Sequence, residues 1–297
     1  MIFDCIIIGG GIAGLQASIQ LGRYNHHILV IDAGKGRSAL CRSYHNILGW
    51  PDGISGEKLR KIGREQAKRV GVQFHDDQVV HVQHIDEKYF QLETKNGFTY
   101  KGKRLLFATG LLDRLPNIPH LEAFLGLSVY VCPDCDGYEV NNKKTIVIGS
   151  GDVGANMALT LTYWTNDLMY INHEQTNISN EKYDQLKRKG IPIINQSIME
   201  ITGDGPSFQG VILADGQPID GERGFIAMGG NQVKSSLAKS LGVQPLKNDH
   251  IEVNPRTRET NVKHVWAAGD VVAHSELVTL AMGEGSQAAI WIHKSLL

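Results

Sequence analysis

The sequence lacks an excess of either charge, a framework of paired cysteines, and any long uncharged apolar run. Lys and Arg total 30 against 31 Asp and Glu, so no strong net field draws the protein to nucleic acid or to an anionic membrane. Four cysteines among 297 residues are too few for a secreted disulfide scaffold. No stretch reaches the length of a membrane span without charges, and the opening residues 1–11 carry neither a basic n-region nor a small-residue cleavage site. That opening reads as a buried strand, and the expected location is cytoplasmic. Low-complexity segments and short tandem repeats are missing as well.

What is present is apolar material, 42% of the composition, enough for a chain of this length to fold as two domains. Residues 3–8 form a β-branched apolar run that stops at Gly9, residues 13–21 carry helical spacing, and residues 27–31 resume an apolar strand. That is a βαβ unit. A near-copy follows, with strands at 145–148 and 168–171, a glycine turn at 149–154 and a helix at 155–163. Two such units predict two nucleotide-binding folds. Between them, residues 79–82, 89–93 and 98–100 alternate as antiparallel strands with Asn96 and Gly97 at a hairpin turn, the pattern of a β-meander. Residues 104–108 read as a separate buried strand, 113–119 as a linker, 224–228 and 262–268 as further strands, and 279–293 as a closing helix. The expected architecture is α/β, with two Rossmann-like three-layer nucleotide-binding domains and the meander inserted in the first. Residues 1–112 and 240–297 make the first domain, and residues 113–239 the second.

The first glycine turn, residues 9–14, satisfies G-x-G-x-x-G between a strand and a helix. Gly9 permits the tight turn, Gly11 lets backbone approach a pyrophosphate, and Gly14 lets helix and strand pack closely. The helix N-terminus adds N–H groups and a favourable dipole. Asp32 ends the next strand where an acid accepts hydrogen bonds from an adenosine ribose. The second turn, with Gly149, Gly151 and Gly154, has the same context but leads to a strand that ends Asn172-His173-Glu174. A 2′-phosphate asks for arginines there, and Glu174 repels it. NADPH is disfavoured at this turn, while NADH and a pocket that holds no nicotinamide both stay open.

Cys132 and Cys135 form C-x-x-C immediately before the second βαβ unit, and Asp136 follows. In such a turn one thiol attacks a substrate disulfide and the other resolves the mixed disulfide. Asp136 is the candidate proton donor and acceptor. Half of a zinc site is the competing reading, but no second paired cluster supplies the remaining ligands. Cys5, inside the first strand, reads as a small buried hydrophobe, and Cys41 as structural. His274 is the one histidine of the twelve worth watching, and a plain loop residue is the better reading.

These residues resemble the thioredoxin reductase family of flavoprotein disulfide reductases over essentially the whole chain. The likeness lies in the first glycine turn with Asp32, the segment 46–51 (NILGWP), Ala108-Thr109-Gly110, and residues 132–138 read as C-x-x-C-D-G-Y. It continues through the second glycine turn and Trp266-Ala267-Ala268-Gly269-Asp270. The resemblance implies FAD on the first domain, with Gly9, Gly11, Ala13 and Gly14 at its pyrophosphate and Asp32 and Ala33 at its adenosine end. It further implies that Asn46, Thr109 and Gly110 line the flavin pocket and that Gly269 and Asp270 hold the ribityl chain. The cysteines would ride on the second domain, which in the family rotates so that the flavin meets either dithiol or nicotinamide. The family is typically homodimeric.

Three departures stand out. The family's His-Arg-Arg for NADPH falls on Asn172, His173 and Glu174, its Arg-Gln before the last helix falls on Glu276 and Leu277, and Cys-Pro-x-Cys followed by Gly-Tyr-Glu is partly similar to dithiol oxidases of the same fold. The leading expectation is an enzyme in which FAD passes electrons to the Cys132 and Cys135 disulfide and on to thioredoxin or a similar small dithiol or disulfide substrate. The donor is NADH, a reduced ferredoxin or another reductant rather than NADPH. A dithiol oxidase using dioxygen, and a flavin-binding redox sensor without turnover, are the alternatives. No metal, nucleic acid or membrane is expected.

Overall fold

Both faces of the first sheet are covered, which is why β1 (Ile2–Ile8) and β2 (Ile28–Ile31) are nearly unbroken aliphatic runs. The computed structural model describes residues 1–272 and 276–297. Cys5, Ile7, Ile28 and Val30 enter one core cluster, whereas Ile6, Ile8, Leu29 and Ile31 enter another. Between the two strands lies α1 (Ile12–Arg23), whose Ala13, Ala17 and Leu21 complete the first of these clusters. Next comes α2 (Gly56–Arg69), started by the Ser55 hydroxyl, which accepts the Lys58 amide at 3.2 Å. It leads to β3 (Gln73–His75), β4 (Val79–His84), β5 (Phe90–Thr94) and β6 (Thr99–Phe107).

The sheet order is β3-β2-β1-β6-β5-β4, and the Val265–Ala267 strand pairs parallel with β6. Gly97, at φ +84°, makes the turn between β5 and β6. Residues 98–100 and 104–108, expected as separate strands, mostly belong to the single strand β6. The reason is Gly102, where an added Cβ would lie 2.9 Å from Ile6 Cγ1. Without that collision the strand runs on from its antiparallel pairing with β5 into its parallel pairing with β1.

In the second unit β7 (Thr145–Gly149), α3 (Gly151–Leu161) and β8 (Leu168–Asn172) form another βαβ, followed by α4 (Asn180–Arg188) and β9 (Arg223–Ala227). Its parallel sheet runs Ile193–Ile194, β8, β7, β9, Val129–Tyr130. Three further strands, Ile198–Asp204, Ser207–Leu213 and Pro218–Asp220, make an antiparallel layer. The chain ends in α5 (Val278–Leu296), which belongs to the first unit. Gly285 brings α5 close to α1, since an added Cβ would stand 2.3 Å from the Ala13 carbonyl oxygen.

The two units comprise Met1–Leu40, His45–Leu112 and Gln232–Leu297 in one, and Cys41–Tyr44 and Asp113–Asn231 in the other. The return to the first unit therefore falls at 231/232 rather than 239/240, because Gln232–Val233 pairs antiparallel with Leu111–Leu112. Arg42 ties its short segment to the second unit through the Ala123 and Glu122 carbonyls, at 3.0 and 3.2 Å. Among the described residues no helix is long and apolar enough to cross a membrane.

Candidate active site and cofactor turns

At the end of β1, Gly9 takes φ +107°, and an added Cβ there would meet the Ala108 carbonyl oxygen at 2.3 Å. Gly14 is equally constrained, with Gly9 O 2.0 Å from where its Cβ would be. Gly11 is the exception: nothing lies within 4 Å of its Cβ position, and α1 begins there with no side-chain cap. The N-terminal amides of α1 thus face open space of the kind a pyrophosphate occupies. Asp32 receives the Arg60 guanidinium at 2.8 Å, and Ala33 after it is exposed. Gly10, Asp32, Arg60 and Phe74 help line a cavity of about 490 Å³, a size in the range of ligand pockets. The chemistry of this half fits the adenosine diphosphate end of FAD.

Farther along the same sheet, the Thr109 hydroxyl donates to the Lys234 carbonyl at 2.7 Å, and the Lys234 amide donates to Gly110 O at 2.9 Å. Gly269, at φ +81°, donates its amide to Glu284 Oε2 at 2.8 Å, while Glu284 Oε1 pairs with Arg258 at 2.7 Å. Ala13 packs directly under this turn, 2.8 Å from where a Gly269 Cβ would sit. Arg37 pairs with Glu276 and lies 3.9 Å from Asp270. Lys234, Arg37, Arg258 and Glu284 were not singled out from the sequence, because each acts through a partner distant along the chain. Asn46 stands exposed in the 41–50 loop, and His274 falls outside the described residues.

The second glycine turn is built differently. Gly149 and Gly154 pack against one another and the Tyr170 ring, but the Gly151 amide donates to Asn172 Oδ1 at 2.9 Å. Glu174 is held by Arg114, and a hydrogen bond from Ser150 keeps its carboxyl below the usual glutamate range, with Arg114 adding to the effect. His173 accepts the Ile198 amide on Nδ1 at 2.9 Å, and burial lowers its pKa.

Cys132 and Cys135 are joined in a disulfide, with Cα atoms 5.3 Å apart. Cys132 sits at the N-cap of the short Pro133–Asp136 helix, and the Cys135 amide donates to its sulfur at 3.2 Å. That donor is placed to stabilise a Cys132 thiolate after reduction. Asp136 closes the helix and donates its amide to the Cys132 carbonyl at 3.0 Å. Cys5 is fully buried, and burial pushes its thiol pKa up, so it behaves as an inert hydrophobe. The half-buried Cys41 thiol donates to the Ser43 carbonyl. Among the described residues no group of three or more His, Cys, Asp or Glu is placed to hold a metal ion.

Two nucleotide-type turns and a C-x-x-C disulfide on one chain define a flavoprotein disulfide oxidoreductase. Residues 3–285 match the sequence profile of the pyridine nucleotide-disulphide oxidoreductases, and the chain belongs to that family, in its thioredoxin reductase-like branch. It is 30% identical to the thioredoxin reductase of Listeria innocua over 97% of this chain and 92% of that protein. Against the thioredoxin reductase of Escherichia coli O157:H7 it is 29% identical, over 96% and 93%. The crystal structure of an oxidoreductase from Agrobacterium tumefaciens, 29% identical, superposes with a TM-score of 0.83 over 99% of this chain and 98% of that one.

Proposed function

We propose that this protein passes electron pairs through the Cys132–Cys135 disulfide to thioredoxin or a similar small dithiol or disulfide substrate, and that its donor is not NADPH. The observation that carries the reading is the disulfide itself, closed across one helical turn with the Cys135 amide on the Cys132 sulfur. Gly9, Gly11, Ala13 and Gly14 would hold the FAD pyrophosphate, Asp32 and Ala33 the adenosine end, Asn46, Thr109 and Gly110 the flavin pocket, and Gly269 with Asp270 the ribityl chain. FAD, when bound, supplies a two-electron carrier.

Reduction of the pair takes two electrons and two protons, breaking the S–S bond and leaving two thiols. One thiolate then attacks the substrate disulfide and expels one substrate thiolate. The other thiol attacks the mixed disulfide, which restores the Cys132–Cys135 bond and releases the second substrate thiol. Asp136, next in sequence to Cys135, is assigned the proton that one cysteine sulfur gains and loses. Glu174 supports the exclusion of NADPH, because a carboxylate held ionised opposes a 2′-phosphate. NADH, a reduced ferredoxin or another reductant then serves as donor. This chemistry suits the cytoplasm, where thiols are kept reduced, and the family resemblance brings with it a homodimer.

The test is anaerobic stopped-flow reduction of the purified yellow protein by NADH, NADPH, reduced ferredoxin and dithiothreitol. Slow bleaching by NADPH and fast bleaching by one of the others is expected; fast bleaching by NADPH sinks the donor assignment. Cys135→Ser should retain FAD and lose disulfide turnover, and retained turnover would remove the pair from the mechanism.

A further inference from the structure

We infer that the second glycine turn binds no dinucleotide at all, NADH included, because the chain's own side chains occupy the positions of the diphosphate and the ribose. The inference concerns the second unit alone; its consequence for the electron donor rests on the disulfide oxidoreductase reading above.

The two glycine turns of one molecule provide the comparison. At Gly11 the space beside the helix N-terminus is open to 4 Å. At the equivalent Gly151, an added Cβ would lie 2.8 Å from both the Asn177 carbonyl oxygen and the Thr176 hydroxyl. A phosphate oxygen must come within hydrogen-bond distance of the turn's amides, about 2.7–3.1 Å. Thr176 and Asn177 crowd the same side of the turn from which a phosphate would approach. Thr176 Oγ1 is 2.8 Å from Ser150 Oγ, and the Gly151 amide is spent on Asn172 Oδ1.

Asn172 sits at the end of β8, where a ribose-binding acid belongs in a dinucleotide fold. It is 1% exposed. Its two amide protons go to the Thr176 carbonyl and Asn195 Oδ1, both at 2.7 Å. The amide therefore has no donor left for a ribose hydroxyl. Charge acts in the same sense. Asp152, in the first turn of α3, accepts the Ser179 amide at 2.7 Å and sets a carboxylate against the helix end that would draw a phosphate. Glu174 adds a second carboxylate beside Ser150, and its pairing with Arg114 occupies the nearby cation a phosphate would otherwise meet. With nicotinamide excluded, the electron pair is exchanged with dithiols or with one-electron protein carriers.

The experiment is calorimetric titration of the wild-type flavoprotein with NADH and, separately, NADPH, alongside the double variant Glu174→Arg/Thr176→Gly. The wild type should show no saturable heat with either nucleotide, a Kd weaker than about 1 mM. The opened variant, with its flavin spectrum and far-UV circular dichroism retained, should gain about tenfold or more in NADPH affinity. Saturable wild-type binding of either nucleotide below about 100 μM would overturn the inference, and so would a folded variant with no gain. If the variant fails to fold, the wild-type titration decides alone. Counting thiols on the same wild-type sample after reduction of the flavin separates the two readings: no cysteine reduction defeats the disulfide function and leaves the closed turn standing.

Discussion

Glu284 holds Gly269 by the backbone: one carboxylate oxygen accepts the Gly269 amide at 2.8 Å while the other binds Arg258 at 2.7 Å. The carboxylate is 5% exposed, so it links α5 to the turn that carries Asp270 without reaching solvent. Removing one partner of a buried ion pair leaves the other uncompensated, at a cost of about 3–5 kcal/mol. Glu284→Ala should therefore lower the melting temperature and strip flavin from the purified protein, while Glu284→Gln, which keeps an acceptor for Gly269, should lose less. A fully yellow Ala variant melting with the wild type would refute this.

Arg37 and Glu276 form an ion pair between segments distant along the chain. Arg37→Glu and Glu276→Arg should each weaken flavin retention, and the exchanged double variant should recover it. Coupling of about 0.5–3 kcal/mol between the two sites is expected from a double-mutant cycle. Additive losses would show that the two side chains act independently.

Acid should loosen the second unit through His173. Its folded pKa lies below the ordinary imidazole value of 6.5 because the ring is buried, and protonating Nδ1 would break its bond to the Ile198 amide. A depressed folded pKa means that the unfolded chain takes up the proton first. The stabilising contribution is full above the unfolded value and is lost as pH falls through the folded one. Thermal melts from pH 8 down should show a decline that begins near about pH 6.5, and His173→Gln should flatten it. An unchanged decline in that variant would assign the effect elsewhere.

Close approach of α1 and α5 at Gly285 predicts a steric phenotype. Gly285→Val forces a side chain against the Ala13 carbonyl, 2.3 Å from the first added carbon, and overpacking of this kind costs about 1–3 kcal/mol. The melting temperature should fall and flavin affinity weaken together, as read by fluorescence of released flavin. Unaltered flavin affinity in a destabilised variant would separate helix spacing from cofactor binding.

Much of this architecture was legible beforehand because it rests on local pattern. The two βαβ units follow from apolar runs that stop at Gly9 and Gly149, and the redox pair from the spacing of Cys132 and Cys135. What local pattern cannot carry is pairing over distance. Glu284 with Gly269, Arg37 with Glu276 and Asn172 with Gly151 are set by how strands and helices meet, so neither their identity nor their role shows in residue spacing. The continuity of β6 through residues 101–103 has a related cause: the need for glycine at 102 lies in its close approach to Ile6, a residue far off in the sequence.

That unbroken β6 has an architectural consequence. Its first residues are hydrogen-bonded to β5 and its last to the Val265–Ala267 strand. Excising the hairpin to make a smaller scaffold would bare a raw sheet edge and invite self-association. Insertions and deletions during descent should thus cluster at the tips of the hairpins and spare their stems.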